Sequence, residues 1–172
     1  MPIITEECIQ RISRGLLRAA GATDEHAKTV AHHLADANLA GHDSHGLIRV
    51  PQYVRAIREG RLDPVAQSEV VEDHMAMAQV NGNGTFGQVV AAFATRLATN
   101  KAREYGIGLV AMYNLGHTGR IGTYPEMAAK EGMAAIMFTG LAATKARVAP
   151  FGGREARLST NPIAMAFPAS DG

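Results

Sequence analysis

The sequence predicts an α/β chain: a helical N-terminal unit over residues 1–64, then the first part of a mixed-sheet α/β domain over residues 65–172. Three observations carry this expectation. Ahead of Gly60 the apolar residues recur at helical spacing, and from Tyr105 onward short apolar runs alternate with glycine-rich polar loops and one short helical segment. The composition, 18 glycines with few aromatics and no tryptophan, suits close packing of helices on a sheet.

Residues 5–20 place Ile9, Ile12, Leu16 and Leu17 on one helical face, with Thr5 as the capping residue, Glu6 and Glu7 in the first turn and Gly21 after the end. Thr23 offers the next cap. Asp24 and Glu25 suit the positive end of a second helix, whose apolar run from Ala27 through Val30, Ala31 and Leu34 to Ala40 stops at Gly41. His26, His32 and His33 fall on this helix without the four-residue spacing of a helical metal pair, so they are read as solvated or capping residues. Val50, Val54 and Ile57 carry a third helix to Glu59, with Pro51 tolerable in its first turn, and GRLDP is the turn that closes the helical unit.

Residues 68–73 and 75–80 read as two short strands. NGNGTFGQ then makes a glycine-rich turn ahead of a long helix over residues 88–105. Its spacing fits neither the GxGxxG dinucleotide fingerprint nor a phosphate loop, which needs a lysine after its last glycine. GIGLVAMY and MAAIMFTG read as buried strands on either side of the loop NLGHTGRIGTYP and the short helix EMAAKEG. A loop leaving the carboxyl end of such a strand is where α/β proteins place ligands, which makes His117 and Arg120 candidates. A strand over residues 163–167 follows Ser159, Thr160 and Asn161, and the closing Asp171-Gly172 is a turn signal that ordinarily leads into another strand, so the chain reads as truncated.

Charge and cysteine content exclude several classes. Lys plus Arg is 17 and Asp plus Glu is 16, without a basic run, so nothing attracts nucleic acid. Cys8, the one cysteine, rules out an internal disulfide framework and reads as a small buried apolar side chain. No apolar run is long enough for a bilayer and MPIITEECIQ lacks the pattern of a signal peptide, so the cytoplasm is the expected compartment.

Titratable chemistry concentrates in GHDSHGLIRVPQY, residues 41–53, where His42, Asp43, Ser44, His45 and Arg49 lie between two helices. These residues either handle a small acidic substrate or cap helices and solvate a loop. One rival function is a metal-dependent hydrolase or lyase with His42, Asp43, His45 and His117 as ligands, although adjacent His42 and Asp43 converge poorly on one ion. Another is a non-catalytic binding fragment.

Three separated pieces then agree: DSHGLIRVPQY at residues 43–53, NLGHTGRIGTYPEMAAKEG at 114–132 and APFGGREARLSTNPIAMAFPASDG at 149–172. Together, and in this order, they resemble the type-2 malate/L-lactate dehydrogenase family, which includes sulfolactate, ureidoglycolate and 2,3-diketogulonate oxidoreductases and cyclic imine reductases. The resemblance spans almost the whole chain and implies the N-terminal half of a longer protein. It implies a fold that is not a Rossmann fold, in keeping with the missing fingerprint, NAD or NADP as cofactor, a 2-oxo or 2-hydroxy acid as substrate, and a homodimer with sites assembled where subunits meet. By the same resemblance His45 is the proton donor with Ser44 beside it, and Arg49 holds the substrate carboxylate. His117 is either a second acid/base or a contact to cofactor or substrate. Thr160 and Asn161 border the nicotinamide and substrate pocket, and Arg120, Asp171 and Gly172 join the cofactor contacts. The chain departs from many relatives after Phe138, where TGLAATKARVAP replaces an asparagine and a serine; Thr139 or Thr144 is the candidate substitute, and no role passes to Leu141.

The chemistry suits these residue types. Reducing a 2-oxo acid needs a proton donor with a pKa near the working pH, which histidine has unperturbed, and a planar cation that fixes the carboxylate through two hydrogen bonds.

Overall fold

A computed structural model describes residues 4–140 and 148–169. Helices α1 (Glu6–Ala19), α2 (Asp24–Leu39) and α3 (Val50–Arg58) come first; β1 (Glu69–His74), β2 (Met77–Asn81), α4 (Gly87–Tyr105), β3 (Leu109–Tyr113), α5 (Thr123–Lys130), β4 (Ala135–Phe138) and β5 (Ile163–Ala166) follow. The caps are those expected: Thr5 accepts from the Cys8 amide and Thr23 from the His26 amide. Pro51 occupies the first turn of α3, where no amide hydrogen is needed.

The larger sheet is mixed, with order β1-β2-β3. β1 and β2 form an antiparallel hairpin, and α4 carries the chain across to β3, which runs parallel to β2. β4 and β5 pair antiparallel in a second sheet. Two cores result. Leu17, Val30, Leu34, Val50, Tyr53 and Phe86 join the three helices to the start of α4, and Ala91, Ile121 and Tyr124 gather between α4 and α5 with Met112, Met137 and Ala164 against them. At the far end of α4, buried Lys101 reaches Asp73 and the Met75 carbonyl, holding helix and hairpin together.

Four details differ from the sequence reading. In α1 the buried row is Ile9, Ser13 and Leu17, one residue every fourth position, while Ile12 and Leu16 are exposed. The helix packs on α2 along a narrow row that includes small Ser13. His26 and His33 are buried rather than solvated, and only His32 faces outward. Burial of His26 is offset by a hydrogen bond of 3.0 Å between Nδ1 and the Pro64 carbonyl and by the edge of Phe86. The strands expected to be buried are half-covered, since Leu109, Ile136 and Phe138 lie exposed while Met112 and Met137 pack on the helical side. Cys8, expected to be buried, is half-buried.

Candidate active site

After α2 the backbone turns at Gly41, with φ 75°, and descends through two 3-10 turns, Asp43–His45 and Leu47–Arg49, into α3. Asn38, in the last turn of α2, anchors both. Its Oδ1 accepts from the Leu47 amide at 2.9 Å and its Nδ2 donates to Asp43 Oδ1 at 2.5 Å. A side chain at residue 46 would sit 2.1 Å from Asn38 Oδ1, so the approach requires Gly46. His42 Nδ1 lies 3.0 Å from the Ala40 carbonyl. Two of the four residues considered as metal ligands, His42 and Asp43, therefore hold the turn. Among the described residues no three His, Cys, Asp or Glu side chains come together as a metal site.

Ser44 and His45 project from the first turn, with Ser44 Oγ 2.9 Å from His45 Nδ1. Arg49 folds back over the turns: its Nε donates to the Ser44 carbonyl and its Nη1 to Gln52 Oε1 at 2.7 Å. Partial burial depresses the His45 pKa, and the nearby cations of Arg49 and His42 add to the depression.

The glycine loop after β3 forms the opposite wall. The turn NGNGTFGQ supports it through backbone bonds: the Gly82 amide donates to the Tyr113 carbonyl at 2.9 Å, the Gly84 amide to Asn114 at 2.8 Å, and the Gly116 amide to Thr85 at 2.8 Å. A Cβ on Gly87, the first residue of α4, would stand 2.2 Å from the Gly116 oxygen and 2.6 Å from the His117 carbonyl carbon. Backbone thus rests on backbone, and His117 is delivered onto His45 with ring centroids 5.3 Å apart and planes 19° from parallel.

Behind this pair, Tyr53 Oη lies 2.9 Å from His117 Nδ1 and accepts from Gln88 Nε2 at 2.7 Å. Burial, together with the charges of Arg49, His45 and His33, lowers the His117 pKa to about 4, and burial raises that of Tyr53 to about 12. His33 lies beneath, stacked on Tyr124 at 5.4 Å and lowered to about 4 chiefly by burial.

Ser44, His45, Arg49 and His117 are therefore one cluster. Arg120 is held elsewhere: its Nη2 meets Glu126 Oε1 at 2.6 Å and its Nη1 lies 3.7 Å from Asp36, tying the loop to α5 and α2. Thr160 and Asn161 stand exposed ahead of β5, with no hydrogen bond to the histidine pair among the described residues. Asp171, Gly172 and Thr144 lie outside the described residues, and Thr139 donates its amide to the Pro162 carbonyl at 3.4 Å. Tyr53 and Gln88 carried no assigned role in the sequence reading. The 64 positions between Tyr53 and His117 leave no local pattern to reveal their bond; the only available signal was a tyrosine and a glutamine on otherwise apolar helix faces.

Comparison with known proteins bears on this arrangement. The profile of the family described as malate/L-lactate dehydrogenase matches residues 4–172. Hydroxycarboxylate dehydrogenase B of Escherichia coli (strain K12) is 40% identical over 158 residues, which is 92% of this chain and 44% of that protein. The malate/(S)-sulfolactate dehydrogenase of Methanothermus fervidus is 38% identical over 169 residues, 98% of this chain and 49% of its own. Among solved structures, sulfolactate dehydrogenase from Methanocaldococcus jannaschii superposes with a TM-score of 0.91 at 38% identity, covering 96% of this chain and 47% of that one. Malate dehydrogenase from Pyrococcus horikoshii OT3 gives 0.92 at 37% identity, with 98% and 48% covered. The chain spans about half the length of the curated relatives it matches.

Proposed function

The chain belongs to the malate/L-lactate dehydrogenase family, and from that premise we propose that the whole protein is an NAD(P)-dependent oxidoreductase interconverting a 2-hydroxy acid and a 2-oxo acid. The observation that carries the reading is the cluster of His45 and His117, stacked at 5.3 Å, with Arg49 folded over the same turns. It joins an imidazole pair to a planar cation, the combination a 2-oxo acid requires.

His45 is the proton donor to the carbonyl oxygen. Ser44 Oγ on Nδ1 leaves Nε2 as the nitrogen that serves the substrate. Arg49 spends two of its five N–H groups on Ser44 and Gln52, so its outer edge is left for a carboxylate. A bound dihydronicotinamide supplies hydride to the carbonyl carbon, which together with the proton gives the hydroxy acid. The exposed Thr160 hydroxyl and Asn161 carboxamide offer donors and acceptors that suit a nicotinamide carboxamide, and Thr160 also borders the substrate. Arg120 contributes to the cofactor only through N–H groups that Glu126, Asp36 and Thr123 leave unused. Asp171 and Gly172 complete this set.

The same reading makes the protein a cytoplasmic homodimer with a site shared across subunits. Exposed Ile136, Phe138, Ile163 and Met165 supply apolar surface for association. No described helix is long and apolar enough to cross a membrane.

The deciding assay follows NADH and NADPH absorbance separately, with the full-length protein, against a panel of 2-oxo acids and cyclic imines. Turnover with at least one 2-oxo acid is expected. Absence of turnover with either dinucleotide across the panel overturns the reading.

A further inference from the structure

Tyr53 stands between two groups that constrain its single proton. Gln88 Nε2, a donor, points at the phenol oxygen from 2.7 Å, so the phenol proton is directed to the other neighbour, His117 Nδ1, at 2.9 Å. A nitrogen that accepts this proton carries none of its own. The opposite orientation of the Gln88 amide would strand its NH2 where the structure leaves Oε1 without a partner, and a stranded N–H is the costlier orphan.

We propose that Tyr53, oriented by Gln88, is a positioning residue that holds neutral His117 in its Nε2–H tautomer, making His117 a hydrogen-bond donor to the substrate while His45 acts as the acid. The proposal rests on the dehydrogenase reading for its substrate, and on geometry alone for its tautomer. Tyr53 and Gln88 are 2% and 1% exposed, so bulk water does not compete for either bond. The phenol keeps its proton throughout the working range, because burial drives its pKa to about 12. The groups facing His117, namely Arg49, His45 and His33, all oppose a second charge there. The relay thus separates the tasks of two stacked imidazoles: one exchanges a proton with the substrate and the other only donates a hydrogen bond to it.

Nitrogen NMR of the full-length protein labelled at histidine reads the tautomer directly. His117 should show a protonated Nε2 and a bare Nδ1 in the native protein, before any variant is made. Tyr53→Phe should relax this preference and lower kcat about tenfold, as expected for one lost buried hydrogen bond, with KM little changed. Gln88→Glu should reverse the relay, because its carboxylate captures the phenol proton and His117 then carries its own on Nδ1. A native His117 protonated on Nδ1, or a Tyr53→Phe variant with unchanged tautomer and kcat, overturns the proposal. Since the spectrum needs no turnover, an Nε2–H signal in a protein that reduces no 2-oxo acid removes the dehydrogenase reading and leaves the tautomer assignment standing.

Discussion

The imidazoles of His45 and His117 lie face to face, 5.3 Å apart and 19° from parallel. A proton on one ring opposes a proton on the other, and Arg49 opposes both. Their burial differs, however. His117, held by Tyr53 inside the wall, is driven to about 4 and is neutral at pH 7, whereas His45 stands on the outer turn, where partial burial and the neighbouring Arg49 lower its pKa from the ordinary imidazole value.

The direction of the pH profile follows. With His45 as the proposed proton donor, kcat/KM for a 2-oxo acid should be greatest at acid pH and fall as pH rises through a pKa below 6.5. Oxidation of the hydroxy acid should show the opposite limb. His45→Ala should remove the limb and lower turnover by roughly two to four orders of magnitude, the range of a positioned acid/base. Near-wild-type turnover in that variant would eliminate His45 as the donor.

Arg49 acts on the same profile in a separable way. Burial is the main cause of the His45 depression and Arg49 adds to it, so Arg49→Gln should move the limb to higher pH while KM for the oxo acid rises. Arg49→Lys keeps the charge but loses the planar fork, so KM should rise with the limb in place. An unchanged KM in both variants would make Arg49 a clamp for Ser44 and Gln52 and nothing more.

Placement of His117 depends on the backbone contact at Gly87. In Gly87→Ala the new methyl must displace the 116–117 backbone, at a cost of about 1–3 kcal/mol in stability, and must also move His117 off His45. Gly15→Ala is the matched control, since nothing lies within 4 Å of a Cβ there; in the interior of α1 it should stabilise by about 0.5–1 kcal/mol. Denaturant midpoints and kcat for the pair check this. Equal activity in both would mean that the loop accommodates the methyl.

Local features were legible in the sequence and long-range ones were not. Thr5 and Thr23 announce their helices because a cap bonds only three residues along the chain. Ser44, His45 and Arg49 were visible because polar residues crowd a bend between two apolar periodicities. His26 and His33 were misread because the buried face of α2 is broad, eight of its 16 residues, and takes in both histidines beside its alanines, while the solvent stripe that includes Asp24, Lys28 and His32 holds only one of the three histidines. The exposed faces of β3 and β4 escaped for the related reason that a continuous apolar run looks the same whether helices cover one side or both. The bond from Tyr53 to His117 belongs to the fold, since α3 and the glycine loop are brought together where the start of α4, at Gly87 and Gln88, meets both.

His33 supplies a test of the fold that needs no substrate. It is stacked on Tyr124, its Nε2 finds no partner among the described residues, and a Cβ on Gly119 would fall 2.4 Å from that nitrogen. Burial lowers its pKa from 6.5 to about 4; Arg120, His32 and His45 act in the same sense and Asp36 against them. Because the folded pKa is the lower one, the unfolded chain takes up the proton first as pH falls. The stability contributed by neutral His33 is therefore complete above pH 6.5 and is lost progressively on the way down to pH 4. Between pH 7 and pH 5 the loss from His33 alone should be roughly 2 kcal/mol. His117, lowered to a similar value, should add a comparable amount. His33→Gln lowers stability at both pH values by removing the stack, but it has no proton to gain. Urea midpoints at pH 7 and pH 5 should therefore lie closer together in the variant than in the native protein. The same pH-dependent drop in both would place the acid sensitivity on His117 or elsewhere, and would mean that His33 is wetter than its packing against Tyr124 and Gly119 indicates.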